Sequence, residues 1–118
     1  MEFERAFGGR LLVGLDPTGY GGVVAGFGSQ RAVELLVEAG FTPIEAVRVA
    51  TANGAEFLGE GSRIGTLAPG KQADILVVRG DPSFDISALE NVVLVFKDGI
   101  GYDPDKLIDS VRGSVGLR

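Results

Sequence analysis

Few residues in this chain could do chemistry, because its 118 residues include no histidine and no cysteine. Histidine general bases, thiolate metal ligands and disulfides are therefore excluded. Asp16, which opens the sequence Asp16-Pro17-Thr18-Gly19 after a short apolar run, is the sharpest candidate. Its carboxylate is either a metal ligand and general base or a turn residue that accepts hydrogen bonds from its own backbone. One carboxylate alone cannot hold a catalytic zinc, which typically takes three protein ligands.

The glycine-rich stretch from Gly19 to Gly28 precedes a predicted helix N-terminus, a position that is typical of anion sites. Neither the dinucleotide fingerprint nor the Gly-Lys-Ser/Thr phosphate loop is present, so the sequence does not favour nucleotide binding. Ser29 has no histidine to activate it as a nucleophile, and we expect it to cap the helix instead. The later aspartates lack the spacing of a calcium loop and are predicted to be turn and cap residues; they are Asp81, Asp85, Asp98, Asp103, Asp105 and Asp109.

The elements that would position Asp16 are a strand before it and helices after it. Arg10 to Leu15 is a short, nearly all-apolar run, which predicts a strand buried on both faces. A helix is predicted from Ser29 to Ala39, with Gly40 as its left-handed stop. Its apolar face is predicted to contain Ala32, Leu35, Leu36 and Ala39.

A second helix is predicted to begin at Thr42-Pro43-Ile44-Glu45, because threonine and glutamate at this spacing form a reciprocal cap. Its packing surface would be Ala46, Val47, Val49 and Ala50. Asn53-Gly54 is predicted to end or re-cap this helix, and residues 55–59 to add one more turn.

Beyond Leu58 the pattern changes from helices to short strands with tight turns. Gly59-Glu60-Gly61-Ser62 is interpreted as a hinge. Ala73 to Arg79 and Asn91 to Lys97 are predicted strands, both rich in β-branched residues. Asp98-Gly99 predicts a hairpin turn into a short return strand at residues 100–102. Asp103-Pro104 then opens a last short helix with an apolar stripe formed by Leu107, Ile108 and Val111.

Composition narrows the class of protein. The apolar content of 45% is typical of a folded chain, and the net charge of −5 comes from interspersed charges without a cationic stripe. We therefore expect no nucleic-acid partner. No run approaches the roughly 18 apolar residues of a membrane helix, and residues 1–5 do not resemble a secretion signal. We expect a cytoplasmic protein with no membrane partner.

Two segments resemble the C-terminal part of metal-dependent amidohydrolases, closest to the imidazolonepropionase-like and prolidase-like branch. They are Ala50-Thr51-Ala52-Asn53-Gly54-Ala55 and the run from Ile64 to Ile75, in which Pro69-Gly70 is the predicted turn and Lys71 is predicted to stay solvated. The resemblance implies an α/β fold: a C-terminal fragment of a (β/α)8 barrel, with its last strand and helices in residues 1–58. Residues 59–118 would be part of a composite β-sandwich with a final short helix.

The resemblance also implies a chemistry and a site. The family hydrolyses amide, cyclic amide or dipeptide-like C–N bonds with a metal-bound hydroxide, using zinc or another divalent metal. Asp16 matches the aspartate that binds the metal and takes a proton from the attacking water, although relatives commonly place a smaller or polar residue where Leu15 stands. Tyr20, Phe27 and Gln30 lie in the loop that lines the family's substrate pocket and are candidate substrate-binding residues.

The histidine ligands of the family have no counterpart here, so we expect this chain to bind no metal and to be catalytically silent by itself. Its strands would also lack the neighbours that complete the family's sandwich, and open strand edges seek partners. Residues 1–7 resemble a shortened helix and indicate a truncated product. The expected partner is the missing N-terminal portion of the barrel, which would supply the histidines of a split enzyme, or the chain itself as a homo-oligomer. The alternative function is a non-catalytic assembly module that associates through these edges.

Overall fold

The computed structural model describes residues 8–15 and 26–114, which form a helical part followed by a small sheet. The helical part contains α1 (Gly28–Glu38), α2 (Pro43–Ala50) and α3 (Ala52–Phe57). The sheet part contains β1 (Ile75–Val78), a 3-10 helix (Ile86–Glu90), β2 (Val92–Lys97), β3 (Ile100–Tyr102) and α4 (Pro104–Ser110). None of the helices in these ranges is long and apolar enough to cross a bilayer.

The core of the helical part lies between α1 and α2. Val33, Phe41, Ala46 and Val49 are buried there. Partly buried side chains pack around them from three other places, namely Leu11 and Val13 in the segment before Asp16, Leu36 and Val37 on α1, and Ile86 and Leu89 on the 3-10 helix. The 3-10 helix, which the sequence did not predict, thus connects the sheet part to α1.

The predicted cap of the second helix is confirmed. Thr42 has extended backbone angles, its Oγ1 accepts a hydrogen bond from the Glu45 amide, and Glu45 Oε2 accepts one from the Thr42 amide at 2.9 Å. The two side chains satisfy amide groups that the first turn of a helix leaves without partners. Ala46 and Val49 are buried as predicted.

The first helix differs from the prediction at its start and in its buried face. α1 begins at Gly28 after Phe27, which makes no side-chain cap, so Ser29 lies inside the first turn and the predicted serine cap is wrong. Leu35 is half exposed, whereas Val33 is buried. Apolar residues cover more than one face of this helix, and contact with α2 and the 3-10 helix selects the face that contains Val33. Gly40 has a φ of +97°, which confirms the left-handed stop.

Two further boundaries are corrected by the structure. The predicted strand from Arg10 to Leu15 is not formed, because no other strand pairs with it among residues 8–15 and 26–114. The second helix ends at Ala50 and not at Asn53-Gly54; Thr51, with φ −128° and ψ −79°, separates α2 from α3. Asn53 and Gly54 therefore lie inside α3.

The connection from the helices to the sheet is held by hydrogen bonds. The Glu60 amide donates to the Ala55 carbonyl at 2.8 Å, and Gly65 passes directly against α3. Pro69-Gly70 forms the predicted turn, with a positive φ at Gly70 and a hydrogen bond from the Lys71 amide to the Ala68 carbonyl.

The sheet is antiparallel with strand order β1-β2-β3. Ile75 pairs with Phe96 and Val95 pairs with Tyr102. The strands β1 and β2 are slightly shorter than predicted, while β3 has the predicted bounds. The predicted hairpin turn at Asp98-Gly99 is confirmed, since Lys97 pairs with Ile100, and both turn residues have the positive φ that a type I′ turn requires.

Several aspartates are confirmed as cap and turn residues. Asp103 caps α4 by accepting hydrogen bonds from the Asp105 and Lys106 amides. Asp85 caps the 3-10 helix through the Ser87 amide.

Candidate functional site

The predicted site residues are only partly within the described structure. Asp16, the candidate metal ligand and general base, and Tyr20 lie outside the described residues. Phe27 stands at the N-cap of α1 with 59% of its surface exposed. Gln30 lies one turn further along the same helix and is half buried.

Gln30 and Glu34 present acceptor oxygens one helical turn apart on α1. Both Oε1 atoms are buried, and neither accepts a hydrogen bond from the described part of the protein. The other carboxylate oxygen of Glu34 accepts a hydrogen bond from Arg31 Nη1 at 2.9 Å. The amide oxygen of Gln30 is therefore covered by protein, and its role as a substrate neighbour stays a prediction.

The segment that leads to Asp16 is fastened to α3. The Asn53 side-chain amide donates to the Leu11 carbonyl oxygen across 3.1 Å and across 42 positions of sequence. One turn later on the same helix, Glu56 pairs with Arg10 at 2.9 Å. Leu11 and Val13 pack against the helical core. The helices thus position this segment through one partly buried hydrogen bond, one exposed ion pair and apolar contact.

An open concavity of about 340 Å³ lies beside the start of this segment. Its lining includes Arg10 and Glu56 together with Glu45, Arg48 and Asn53. It borders residues 8–10, whereas Asp16 follows the other end of the segment. Of the predicted site residues within the described ranges, neither Phe27 nor Gln30 lines this concavity.

Lys71 closes the loop that precedes the sheet. Its ammonium group donates to the Gly61 carbonyl oxygen at 2.6 Å and to Thr66 Oγ1. Two hydrogen bonds also cross the same loop: the Arg63 guanidinium donates to Gln72 Oε1, and the Gln72 amide donates to the Arg63 carbonyl oxygen at 2.9 Å. Lys71, which was predicted to stay solvated, is half buried, and its ammonium group is hydrogen-bonded to the loop.

Asp74 joins the start of β1 to the hairpin turn. Its carboxylate accepts hydrogen bonds from Lys97 Nζ at 2.7 Å and from the Asp98 amide at 2.8 Å. These two donors, Lys97 first, hold the pKa of Asp74 below its usual value, since they favour the ionised form. A hydrogen bond from the Ser83 hydroxyl likewise lowers the pKa of Asp81 in the following turn. Both carboxylates therefore act in structure, one at the hairpin and one at a turn.

The residues described here do not make a metal site. Nowhere in residues 8–15 and 26–114 do three carboxylate, histidine or cysteine side chains come close enough together to hold a metal ion. The whole chain offers no imidazole or thiolate donor, and a catalytic zinc typically takes three protein ligands. The donor set of this chain does not fit a catalytic metal without ligands from elsewhere, and we assign no metal step to it.

The sequence reasoning missed the positioning roles of Asn53, Glu56 and Asp74. A signal for Asn53 was present: it is a polar residue among small ones in Ala52-Asn53-Gly54-Ala55, a pattern that allows close contact of a helix with a neighbouring backbone. Asp74 and Glu56 carried no comparable local signal, because their partners lie far away in sequence.

Comparison with known proteins identifies the class. The amidohydrolase family model matches residues 12–100, which is most of the chain, and the chain belongs to the amidohydrolase family. The resemblance of the sequence to this family is thereby confirmed. The family as a whole is generally metal-dependent, and its fold is related to the (β/α)8 barrel.

Three relatives show how much of the fold this chain represents. Adenine deaminase 4 of Rhizobium meliloti (strain 1021) is 37% identical over 68 residues, which cover 57% of this chain and 11% of the relative. A Xaa-Pro dipeptidase solved with methionine in its active site is 38% identical, with a TM-score of 0.61 over 64% of this chain and 19% of that one. Molinate hydrolase is 27% identical, with a TM-score of 0.68; the match covers 77% of this chain and 20% of molinate hydrolase. The chain thus spans about a tenth of the curated relative and about a fifth of the two solved ones.

Proposed function

We propose that this chain is the C-terminal portion of a metal-dependent amidohydrolase and is not catalytic by itself. The observation that carries the proposal is the family match over residues 12–100 in a chain without a single histidine. Residues 1–58 would supply the last barrel strand and its helices, and residues 59–118 part of the composite β-sandwich. A complete enzyme would require the remaining barrel, encoded with this portion or as a separate chain.

The packing of residues 8–15 supports the barrel part of this proposal. Leu11 and Val13 turn apolar side chains onto α1 and α2, as a barrel strand does toward its outer helices. Leu12 and Leu15 remain half buried and Gly14 is exposed. Neighbouring strands from the rest of a barrel would cover these positions and would pair the backbone of the segment.

The exposed apolar side chains of the sheet support the proposal that residues 59–118 are part of a composite β-sandwich. Residues directly opposite each other in antiparallel strands share a face, which places Leu76, Val95 and Tyr102 on one side with Val93 and Ile100. We call these five residues the open face. Four of them are between 38% and 61% exposed, and Val95 is half buried. Further strands packed on this face would bury an apolar surface that water now covers.

In the completed enzyme, Asp16 would be the catalytic and metal-binding carboxylate of this portion, and Tyr20, Phe27 and Gln30 its substrate neighbours. The bond cleaved would be a non-peptide or dipeptide-like C–N bond. Relatives named as an adenine deaminase and a Xaa-Pro dipeptidase support this broad class and leave the substrate open.

A chimera tests the proposal. The part of the Xaa-Pro dipeptidase that matches this chain is replaced by the corresponding residues of this chain, and hydrolysis of a Xaa-Pro dipeptide is measured. We expect an active chimera and at least about a thousandfold loss of kcat for Asp16→Asn, because the variant lacks a carboxylate general base. Asp105→Asn on α4 removes one negative charge far along the chain and is the matched control. An active Asp16→Asn chimera would overturn the role of Asp16, and turnover by the unmodified chain alone would overturn its proposed inactivity.

The second candidate function is an assembly module that forms homo-oligomers. The open face and the unpaired outer edge of β1 among the described strands favour it. Sedimentation velocity over a range of concentrations distinguishes the two. A concentration-dependent dimer that Leu76→Lys abolishes, but that Leu67→Lys in the exposed loop does not, would favour the assembly module. A monomer at all concentrations would remove it.

A further inference from the structure

The helices hold the segment before Asp16 through an unusual contact. Asn53 is a buried polar residue on α3, with 8% of its surface exposed, and its amide reaches the main chain of Leu11. A buried amide that loses its partner leaves the cost of its removal from water uncompensated. The Leu11 carbonyl is therefore held opposite one specific helix position.

The hydrogen bond between Asn53 and Leu11 determines the register of residues 8–15 against α3. Asp16 follows Leu11 by five residues, and in an extended segment successive side chains point to opposite sides. A slip of one residue at Leu11 would turn each of the following side chains up to Leu15 to the other side, and Asp16 is the next residue in the sequence. The Leu11 carbonyl oxygen has a second lone pair, so the amide of Asn53 does not prevent a neighbouring strand from pairing with the same carbonyl.

We propose that Asn53 is a positioning residue for Asp16: its amide fixes the register in which residues 8–15 lie on the helices before the rest of the barrel binds. The ion pair between Glu56 and Arg10 assists it from the next turn of α3. This inference rests on the proposed function for the role of Asp16, while the fastening of the segment can be tested in the chain as it is.

A spin label at position 14 measures how mobile residues 8–15 are. The chain contains no cysteine, so Gly14→Cys introduces a unique attachment point. A Cβ atom at Gly14 meets no atom of residues 8–15 and 26–114 within 4 Å, and the position is exposed. Because no neighbouring side chain in these ranges holds a nitroxide there, its spectrum reports backbone order, and we expect the restricted motion of an ordered backbone in the otherwise unchanged chain. We call this the immobile spectrum.

Asn53→Asp then removes the donor while keeping the side-chain size. At pH 8 the introduced carboxylate faces the Leu11 carbonyl oxygen and cannot donate, and we expect the mobile fraction of the label to rise at least twofold. At pH 5 the buried carboxyl, whose pKa is raised by desolvation, is protonated and donates through its O–H. The immobile spectrum should return, whereas Asn53→Ala should stay mobile at both pH values.

The pH comparison requires that neighbouring charges do not move the label. The charged groups around Asn53 are the pair Arg10 and Glu56, together with Glu45 and Arg48 in the adjoining concavity. The labelled chain with Asn53 intact contains all four and should give the same spectrum at pH 5 and pH 8. Asn91→Asp makes the same chemical change at an exposed asparagine and should leave the spectrum unchanged.

Three outcomes would overturn the proposal. One is an immobile label in Asn53→Ala, and another is a mobile label in Asn53→Asp that pH 5 does not reverse. The third is loss of the helical circular dichroism signal in both variants at both pH values, since Asn53 would then support the core and not only the segment.

The role of Asp16 is separated from this test by the chimera. There, Asn53→Ala should lower kcat about tenfold or more with KM unchanged, because only the position of the reacting group is disturbed. An active Asp16→Asn chimera with the expected label spectra would refute the proposed function and leave the fastening of residues 8–15 intact. A normal kcat for Asn53→Ala beside an inactive Asp16→Asn would refute the positioning role alone.

Discussion

The helical part and the sheet part of this protein are stabilised in different ways. Residues 28–57 contain Val33, Phe41, Ala46, Val49 and Ala55, which are all buried. The three strands contain no buried residue, and their side chains range from half buried to exposed. Ala88 of the 3-10 helix, beside α1, is the buried residue of the second part.

The difference shows which part has its own core. The helices meet each other and exclude water, so apolar contact contributes most of their stability. The strands are connected by main-chain hydrogen bonds and by the carboxylate of Asp74, while their open face remains in water. In a larger amidohydrolase the second part would gain the most from additional elements.

The largest loss of stability is expected from a substitution in the helical core. Phe41→Ala removes a buried aromatic ring and should lower the free energy of unfolding by about 3–5 kcal/mol in urea titrations followed by circular dichroism. Phe84→Ala removes the same ring where it is 90% exposed and should change stability by less than about 0.5 kcal/mol. Equal losses for the two variants would contradict the comparison of the two parts.

A smaller effect is expected where the connecting loop crosses α3. An alanine Cβ at position 65 would lie 2.4 Å from the Ala55 Cβ, and Gly65 has a φ of +87°. Gly65→Ala should therefore destabilise by about 1–3 kcal/mol through both collision and backbone strain. Gly70→Ala has a similar φ of +84° with no atom nearby and should show the strain alone. The two variants would be equally stable only if the contact with α3 were absent.

Loss of the Lys71 ammonium tests whether the loop depends on its hydrogen bonds. Lys71→Met keeps the aliphatic chain and removes the donors to Gly61 and Thr66, and we expect a loss of about 1 kcal/mol in the free energy of unfolding. Lys106→Met changes a lysine on α4 with 85% side-chain exposure and serves as the control. A loss of the same size in the control would show that charge, and not the loop contact, is responsible.

The smallest expected effect concerns acid pH at the hairpin. Because the folded protein lowers the pKa of Asp74, its contribution is present above the unfolded pKa and is lost as pH falls through the folded one. In Asp74→Asn the free energy of unfolding should therefore fall less steeply below about pH 4. Asp81, whose pKa is also lowered, contributes to the acid-dependent loss that remains. The Asp98 amide resonance should titrate with Asp74. An Asp98 amide resonance that shifts by the same amount at acid pH in the unchanged chain and in Asp74→Asn would contradict the assignment.

Local signals in the sequence were sufficient for much of this fold. Thr42 and Glu45 cap α2, Pro69-Gly70 and Asp98-Gly99 turn the chain, and Asp103 caps α4, all as predicted. In each case the interacting groups lie within four residues, so the physics is contained in a short window.

The failures involve contacts between distant segments. The buried face of α1, the missing strand at residues 10–15 and the break at Thr51 each depend on what packs beside the element. The candidate site shows the same limit, because Asp16 was identified from a family resemblance and lies outside the described residues. Its support by Asn53 became visible only when Leu11 and α3 were seen together.

The sequence by itself determined the family, the caps, the turns and the absence of imidazole donors, because these depend on residue identity and on neighbours a few positions apart. Only the tertiary structure decided which helix face is buried, that α3 fastens the segment before Asp16, and that Asp74 joins β1 to the hairpin. The last two contacts connect residues more than 20 positions apart, and all three arise only when folding brings separate elements together.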